Sequence, residues 1–197
     1  CAMLLAKSNK KVFAAPDVDM VSICTDHGSH SALVVAALEN GKDVLCEKPL
    51  TESEASLRKM LTAAKLHNDR ICGGVFQHRF DPIYDELHGI IASNNLGTML
   101  NASASLRCIR TDSYYREAPW RGTLKHEGGS VLINQAIHYI DQLVWNLGGF
   151  KSVAANVANL AHAGVIETED AAAAALSFKC GAVGTVEATS ASNLNWR

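Results

Sequence analysis

Lys48 lies where a lysine could take part in chemistry. The apolar run Val44-Leu45-Cys46 predicts a buried strand, and Glu47 and Lys48 follow directly at its carboxyl end. Pro49 has no N–H group to donate to a strand ladder, so the strand should stop there. In open α/β sheets, ligands bind outside the carboxyl ends of the strands. The position therefore favours a site over the alternative, an exposed ion pair of little energetic value.

A second set of polar residues recurs along a helix predicted from about Ser130 to Leu147. Asn134, His138 and Asp141 follow one another at spacings of four and three residues, which places them on one helix face. Apolar side chains occupy the rest of the helix, so these polar groups must face a cleft or be satisfied internally. A lone helical histidine is more often structural. Its polar neighbours and the strand-end lysine favour a functional role here.

Two further segments could bind a ligand. The turn 25–30 opens a helix, and backbone N–H groups at such a start can hold an anionic or ribose group. Simple N-capping by Asp26 or Ser29 is an equal alternative. The segment 114–121 is dense in aromatic and guanidinium groups, which suit sugars and phosphates. Its alternative is packing on its own domain or on another subunit.

A metal-dependent hydrolase is disfavoured by ligand spacing. The candidate ligands show no HxH, HExxH or acidic-loop pattern; they are Asp26, His27, His30, Glu47, His138 and Asp141. The six cysteines form no CxxC, and those at positions 24, 46 and 72 lie in apolar strand-like runs. We therefore expect buried, reduced thiols in a cytoplasmic protein.

Composition excludes several other classes of protein. The chain is 48% hydrophobic with a net charge of −2, which indicates neither a nucleic-acid surface nor a polybasic membrane-binding patch. No apolar run approaches the roughly 20 residues that span a bilayer. The composition is that of an ordinary globular protein.

The elements that must position these residues change character along the chain. Strands predicted at 18–25, 43–46 and 71–76 alternate with helices at 31–40 and from residue 51 or 53 to about 67, which indicates α/β crossovers and a parallel sheet. The second half predicts an α+β domain with a large open, mostly antiparallel sheet. Its predicted elements are a helix at 82–93, a strand at 97–110, a loop at 111–127, a helix at 130–147 and strands at 150–160, 171–178 and 182–190.

Four segments, taken together and in order, resemble the Gfo/Idh/MocA family of NAD(P)-dependent oxidoreductases. They are Thr25-Asp26-His27-Gly28-Ser29-His30, the segment 41–49 ending in Glu47-Lys48-Pro49, Phe76-Gln77-His78-Arg79-Phe80, and the segment 128–141. The similarity runs over essentially the whole chain. It implies a partial Rossmann-like dinucleotide-binding domain over residues 1–76, followed by a substrate-binding and oligomerisation domain over residues 77–197.

The resemblance implies hydride transfer between NAD or NADP and a hydroxyl or keto carbon of a sugar, nucleotide sugar or cyclitol. It makes Lys48 the proton-transfer or oxygen-polarising group, His138 its partner and Asn134 a substrate-positioning residue, with a cis Lys48–Pro49 peptide. Asp141 would hold His138 or the helix. The implied cofactor contacts are Thr25, Asp26, His27, His30, Glu47, Lys48, Gln77, Trp120 and Arg121. The implied substrate contacts are Lys48, Arg110, Tyr115, Asn134, Gln135 and His138, and no metal is implied.

The sequence departs from the family pattern in two respects. It contains no GxGxxG turn, and the family's C-terminal sheet normally continues past Arg197, so we expect a fragment or trimmed version of a longer enzyme. Asn134 stands where many members have aspartate, and members with asparagine resemble nucleotide-sugar or deoxysugar enzymes. The resemblance also implies a homodimer or homotetramer formed through the C-terminal sheet. The alternative is a non-catalytic ligand-binding or regulatory module that lost dinucleotide binding.

Overall fold

The structure is a computed structural model that describes residues 8–196, with side-chain surroundings for residues 8–193. The described residues divide into two compact units between Val75 and Phe76. Each unit has its own hydrophobic core. No helix within residues 8–196 is both long and apolar enough to cross a membrane.

The N-terminal unit is a three-stranded parallel sheet of order β1-β2-β3 with helices in the connections. Val34 and Leu38 are fully buried in its core, and Gly41 follows the second helix with φ +70°, a conformation that favours glycine. The α/β prediction is confirmed. The elements are α1 Asn9–Phe13, β1 Met20–Ile23, α2 His27–Glu39, β2 Asp43–Cys46, α3 Glu54–Leu66 and β3 Cys72–Gly74.

Local signals explain where some of these elements begin. Ser53 caps α3, because its hydroxyl oxygen accepts the Ser56 N–H at 3.3 Å. Helix α2 begins at His27, four residues earlier than predicted, with Asp26 at the N-cap position but making no side-chain capping bond. The short helix α1 was not predicted, and β1 and β3 are shorter than the predicted strands.

The C-terminal unit is a five-stranded sheet of order β5-β6-β7-β4-β8. Every neighbouring pair is antiparallel except β4 and β7, which run parallel, so the prediction of a mostly antiparallel sheet is confirmed. Leu143 and Leu147 of α6 pack with Leu176 and Phe178 in one core. The elements are α4 Pro82–Ala92, β4 Asn101–Ile109, α5 Asp112–Arg116, α6 Ile137–Leu147, β5 Phe150–Ala158, β6 Ala171–Phe178, β7 Val183–Thr189 and β8 Ala191–Trp196.

Two expectations for this unit need correction. The loop 111–127 contains helix α5, whose N-cap Thr111 accepts the Tyr114 N–H. The predicted helix 130–147 is a π-helical turn, Val131–Ala136, followed by α6. A π turn is wider than an α turn. Asn134 therefore lies on the π turn, and the helical spacing argument applies only to His138 and Asp141.

The cysteines differ from the expectation of uniform burial. Cys46 and Cys108 are buried, whereas Cys24, Cys72 and Cys180 are exposed, and all five are free thiols. Burial, with the nearby Cys72, Glu47 and Cys24, raises the pKa of Cys46 to about 12, so this thiol stays neutral. Cys1 lies outside the described residues.

Candidate active site

Lys48 lies immediately beyond the carboxyl end of β2, at the sheet edge where the sequence predicted it. The Glu47 N–H extends the strand by donating to the Ile23 carbonyl at 2.9 Å. The Glu47 carboxylate then folds back and accepts the Lys48 N–H at 3.1 Å. The Lys48–Pro49 peptide is cis, as predicted. The local backbone thus presents Lys48 at the edge where α/β sheets bind ligands.

His30 joins the chain after β1 to the chain after β2. It is fully buried, with Nδ1 2.9 Å from the Pro49 carbonyl oxygen and Nε2 3.1 Å from the Thr25 carbonyl oxygen. Both ring nitrogens are therefore engaged by backbone, an internal role that the sequence did not predict. Its predicted cofactor contact stays a prediction. His27 is also buried, and its ring centroid is 6.0 Å from that of His30.

The turn 25–30 is held by short hydroxyl contacts. The hydroxyl of Ser29 donates to the Asp26 carbonyl at 2.8 Å and lies 2.6 Å from the Thr25 hydroxyl. The alternative for this turn was capping by Asp26 or Ser29, and the Asp26 side chain makes no capping bond. Thr25 is exposed and Asp26 is partly exposed, so both side chains can reach a ligand at this edge.

The C-terminal unit contains a polar pocket of about 440 Å³. Four residues predicted for the site line it: Gln77, Arg110, Gln135 and His138. The Arg110 guanidinium donates to Gln135 Oε1 at 2.7 Å and lies 5.0 Å from the centre of the Tyr114 ring. The remaining lining residues, which the sequence analysis did not assign to the site, are His78, Leu106, Arg107, Cys108 and Tyr139.

Asn134 is held by a carboxylate that sequence reasoning missed. Its Nδ2 donates to Glu127 Oε1 at 2.6 Å, and the other Glu127 oxygen accepts the Gly122 N–H. Glu127 is 1% exposed. Burial raises its pKa, the bonds from Gly122 and Asn134 act in the opposite direction, and nearby Glu169 raises it further. The sequence feature that could have identified Glu127 is its position directly before Gly128-Gly129.

Asp141, which was predicted to hold His138 or the helix, binds Arg79. Its two carboxylate oxygens accept from Arg79 Nη2 at 2.6 Å and Nε at 2.8 Å, a bidentate pair. The hydrogen bond to Asp141 raises the pKa of Arg79. Because Asp141 is 9% exposed and lies on α6, the pair ties the segment after residue 76 to that helix.

The aromatic loop is largely packed within its own unit. Arg121 donates to the Tyr114 carbonyl at 2.7 Å and to Glu117 at 2.9 Å, and its guanidinium lies 4.1 Å from the centre of the Tyr114 ring. The same guanidinium is 5.7 Å from the centre of the Trp120 ring. This arrangement matches the packing alternative for Arg121. Its predicted cofactor contact, and that of Trp120, stay predictions.

Tyr115 is an internal residue of the C-terminal unit. It is 4% exposed, and its hydroxyl lies 3.1 Å from both the Ser130 and the Ser190 hydroxyls. Burial raises the pKa of this phenol, and the two serine bonds lower it in part. The structure gives the side chain a linking role between the loop and the last strands, while its predicted substrate contact stays a prediction.

A buried acid–histidine pair contacts the backbone of Arg110. His162 Nε2 lies 2.8 Å from the Arg110 carbonyl oxygen, and Nδ1 lies 3.1 Å from the Asp170 carboxylate. That carboxylate also accepts the N–H groups of residues 160, 161 and 162. Burial alone would raise the pKa of Asp170, but these bonds outweigh it and lower the pKa. No sequence pattern indicated this network.

Comparison with protein families decides the relationship. Residues 84–196 match the model of the GFO/IDH/MocA C-terminal domain, which is more than half of the chain. Residues 4–74 match that of the oxidoreductase family with an NAD-binding Rossmann fold. The chain belongs to the Gfo/Idh/MocA family of oxidoreductases. The resemblance predicted from the four sequence segments is confirmed.

Several members of the family are similar over most of this chain. Inositol 2-dehydrogenase of Corynebacterium glutamicum is 32% identical over 160 residues, which is 78% of this chain and 44% of that protein. The WlbA dehydrogenase of Bordetella pertussis, solved with NADH and UDP-GlcNAcA, has a TM-score of 0.89 at 28% identity, covering 95% of this chain and 57% of that one. Levoglucosan dehydrogenase, solved with NADH and levoglucosan, has a TM-score of 0.88 at 25% identity, covering 95% and 52%.

This family member spans less than half of the curated dehydrogenase and a little over half of the two solved chains. Within residues 8–196, no three His, Cys, Asp or Glu side chains are grouped so that they could hold a metal ion. The carboxyl edge of the N-terminal sheet carries hydrogen-bonding groups. Hydroxyl, carboxylate and amine groups from Thr25, Asp26, Glu47 and Lys48 suit the ribose and nicotinamide end of a dinucleotide.

Proposed function

We propose that the protein containing this chain transfers a hydride between NAD(P) and a hydroxyl or keto carbon of a sugar, nucleotide sugar or cyclitol. The observation that carries the proposal is Lys48, placed directly beyond β2 at the carboxyl edge of a parallel sheet in a member of this family. The three relatives support the substrate class. One is named for inositol, and two were solved with NADH and a sugar or nucleotide sugar.

Lys48 acts on the oxygen of the reacting carbon. A protonated lysine amine can polarise a keto oxygen or give it a proton. In the oxidising direction the substrate hydroxyl must lose its proton, and His138 is the residue that accepts it. In the reducing direction His138 returns a proton. When bound, the nicotinamide supplies the hydride acceptor or donor.

Asn134 positions the substrate. Glu127 accepts one Nδ2 hydrogen and so fixes the orientation of the amide. Arg110 and Gln135 add substrate contacts, since their bonded side chains line the same pocket as His138. A polar pocket of this kind suits a ligand with several hydroxyl groups.

Each unit contributes its own proposed cofactor contacts. In the N-terminal unit they are Thr25, Asp26, His27, His30, Glu47 and Lys48, and in the C-terminal unit Gln77, Trp120 and Arg121. Glu47 and Asp26 are suited to ribose hydroxyls because each carboxylate can accept at least two hydrogen bonds. Either NAD or NADP is compatible with these groups.

The proposal is tested by incubating the protein that contains this chain with NAD⁺ or NADP⁺ and a panel of inositol, levoglucosan and UDP-GlcNAcA. We expect an increase in absorbance of the reduced nicotinamide with at least one of the three. Binding of a panel member without reduction of either cofactor would instead support the non-catalytic module.

Replacement of the lysine tests its role. Lys48→Ala should lower turnover by roughly a hundredfold or more, the range typical of a positioned acid or base, while the affinity for NAD(P) changes much less. Lys59→Ala, an exposed lysine of α3, is the matched control and should retain wild-type turnover. Unchanged turnover in Lys48→Ala would remove the lysine from the mechanism.

A further inference from the structure

His78 and Asp81 form a pair that none of the assigned roles uses. The segment Gln77–Phe80 makes one 3₁₀ turn and ends at Asp81, directly before α4. His78 Nδ1 lies 2.6 Å from Asp81 Oδ2. A carboxylate only accepts hydrogen bonds, so the proton between them belongs to Nδ1, and in the neutral ring Nε2 is left as an acceptor.

The other ring nitrogen is available to a ligand. His78 Nε2 makes no hydrogen bond with any residue in the part of the chain that the structure describes. The side chain is 27% exposed, and the residue lines the polar pocket of about 440 Å³. An imidazole fixed at one nitrogen by an acid, in a residue that lines a pocket, is a common arrangement for binding a ligand or moving a proton.

His78 also lies against the residue proposed for proton exchange. The rings of His78 and His138 meet edge to face, with centroids 5.0 Å apart, and both residues line the pocket. Arg110 and Gln135 contribute further polar groups to the same lining. A hydroxyl-bearing ligand in contact with His138 would therefore have His78 within reach.

We infer that His78 is a further substrate-binding residue, whose Nε2 hydrogen-bonds a hydroxyl of the ligand, and that Asp81 is the positioning residue that fixes the ring. The inference rests on the proposed function, because it takes the pocket to hold the polyhydroxylated substrate. It extends that function by assigning the segment 77–81 to substrate recognition rather than to the cofactor alone.

A purely structural role must be separated from this one. The His78 ring also packs against Tyr84, with centroids 5.6 Å apart. His78→Phe keeps an aromatic ring for this packing and removes only the nitrogens, while His78→Gln restores a hydrogen-bonding group. At Asp81, Asn keeps an acceptor for Nδ1–H and Leu does not. Neither change removes a helix cap, since the Asp81 side chain makes no capping bond to α4.

The experiment measures steady-state kinetics in the protein that contains this chain, using the member of the inositol, levoglucosan and UDP-GlcNAcA panel that the wild type oxidises fastest. His78→Phe should raise KM for that substrate roughly tenfold or more, with kcat and the KM for NAD(P) within about threefold of wild type. His78→Gln should recover part of the loss. Asp81→Leu should raise KM, and Asp81→Asn should stay close to wild type.

His88→Phe is the matched control. His88 belongs to the same unit, bonds a side-chain acceptor through Nδ1 (Asn146 Oδ1, 3.1 Å), and is absent from the pocket lining. Its replacement should leave the substrate KM unchanged. A wild-type KM in His78→Phe overturns the inference while the proposed function stands. A wild type that reduces neither cofactor with any panel member overturns the proposed function, and this inference with it.

Discussion

Two buried carboxylates of the C-terminal unit respond to burial in opposite ways. Glu127 and Asp170 are both 1% exposed. Two hydrogen bonds do not compensate the burial of Glu127, and its pKa is raised. Asp170 receives three backbone N–H groups and the His162 ring, and its pKa is lowered. Burial, with the nearby Glu169, dominates at Glu127, whereas the hydrogen bonds dominate at Asp170.

Asp170 should therefore stabilise the unit in a pH-dependent manner. Because its folded pKa lies below the usual 3.8, its contribution is fully present above that value and is lost as the pH falls through the folded pKa. At pH 7, Asp170→Asn should lower the free energy of unfolding by about 3 kcal/mol, since the amide nitrogen cannot accept the N–H groups. The difference should shrink below about pH 4.

Denaturant titration followed by tryptophan fluorescence measures this effect, because all three tryptophans, at positions 120, 145 and 196, lie in the C-terminal unit. The partly exposed Asp112, which pairs with Arg116 on α5, supplies the control. Asp112→Asn should change stability by less than about 0.5 kcal/mol. An Asp170→Asn variant as stable as the control would mean that the bonds between Asp170 and residues 160–162 do not stabilise the unit.

At the scale of the elements, the parallel pair β4 and β7 depends on a glycine. Ala102 faces Gly184 in the register of the two strands. A Cβ built on Gly184 would collide with the Ala102 carbonyl oxygen and lie 3.0 Å from the Phe178 ring. The backbone oxygen cannot move without disturbing the ladder. Gly184 is thus the residue that permits the close approach of the two strands.

Gly184→Ala should destabilise the C-terminal unit by about 2 kcal/mol or more. Gly89→Ala in α4 is the matched control, because a Cβ there meets no atom within 4 Å. It should stabilise by about 0.5 to 1 kcal/mol through helix propensity. Unfolding followed by fluorescence measures the stability of both variants. Equal stability of the two would contradict the steric argument.

At the scale of the whole molecule, one face of the five-stranded sheet carries small and polar side chains. Ala173 and Ala175 of β6 and Thr185 of β7 are exposed, and Arg107 pairs with Glu187 across β4 and β7 at 3.2 Å. Small residues permit a second sheet to approach closely. We therefore retain the prediction that the protein self-associates through this face.

A large charged side chain on this face should prevent association. Ala173→Arg is expected to convert a dimer or tetramer into a monomer at micromolar concentration, as measured by light scattering. Ala55→Arg, at an exposed position of α3 in the other unit, should leave the mass of the assembly unchanged. A wild-type protein that is already monomeric at micromolar concentration would refute the prediction.

The sequence alone determined the α/β and α+β character of the two halves, the place of Lys48 and the family. Alternating and helical apolar patterns are local, so β2 and β6 were predicted with the bounds that the structure gives. The strand-end lysine followed from the same local pattern together with the proline after it. Even the cis Lys48–Pro49 peptide was available from the family resemblance.

Only the tertiary structure decided which polar groups meet. Arg79 and Asp141 are 62 residues apart in sequence, and His162 and the Arg110 carbonyl are 52 residues apart. Neither pair has a sequence pattern, because a buried polar group accepts any suitable partner that packing brings to it. The π turn at Val131–Ala136 likewise moved Asn134 out of the α-helical register that spacing predicted. Long-range packing therefore determined the hydrogen-bonding environment of the candidate site, while local pattern determined the elements that carry it.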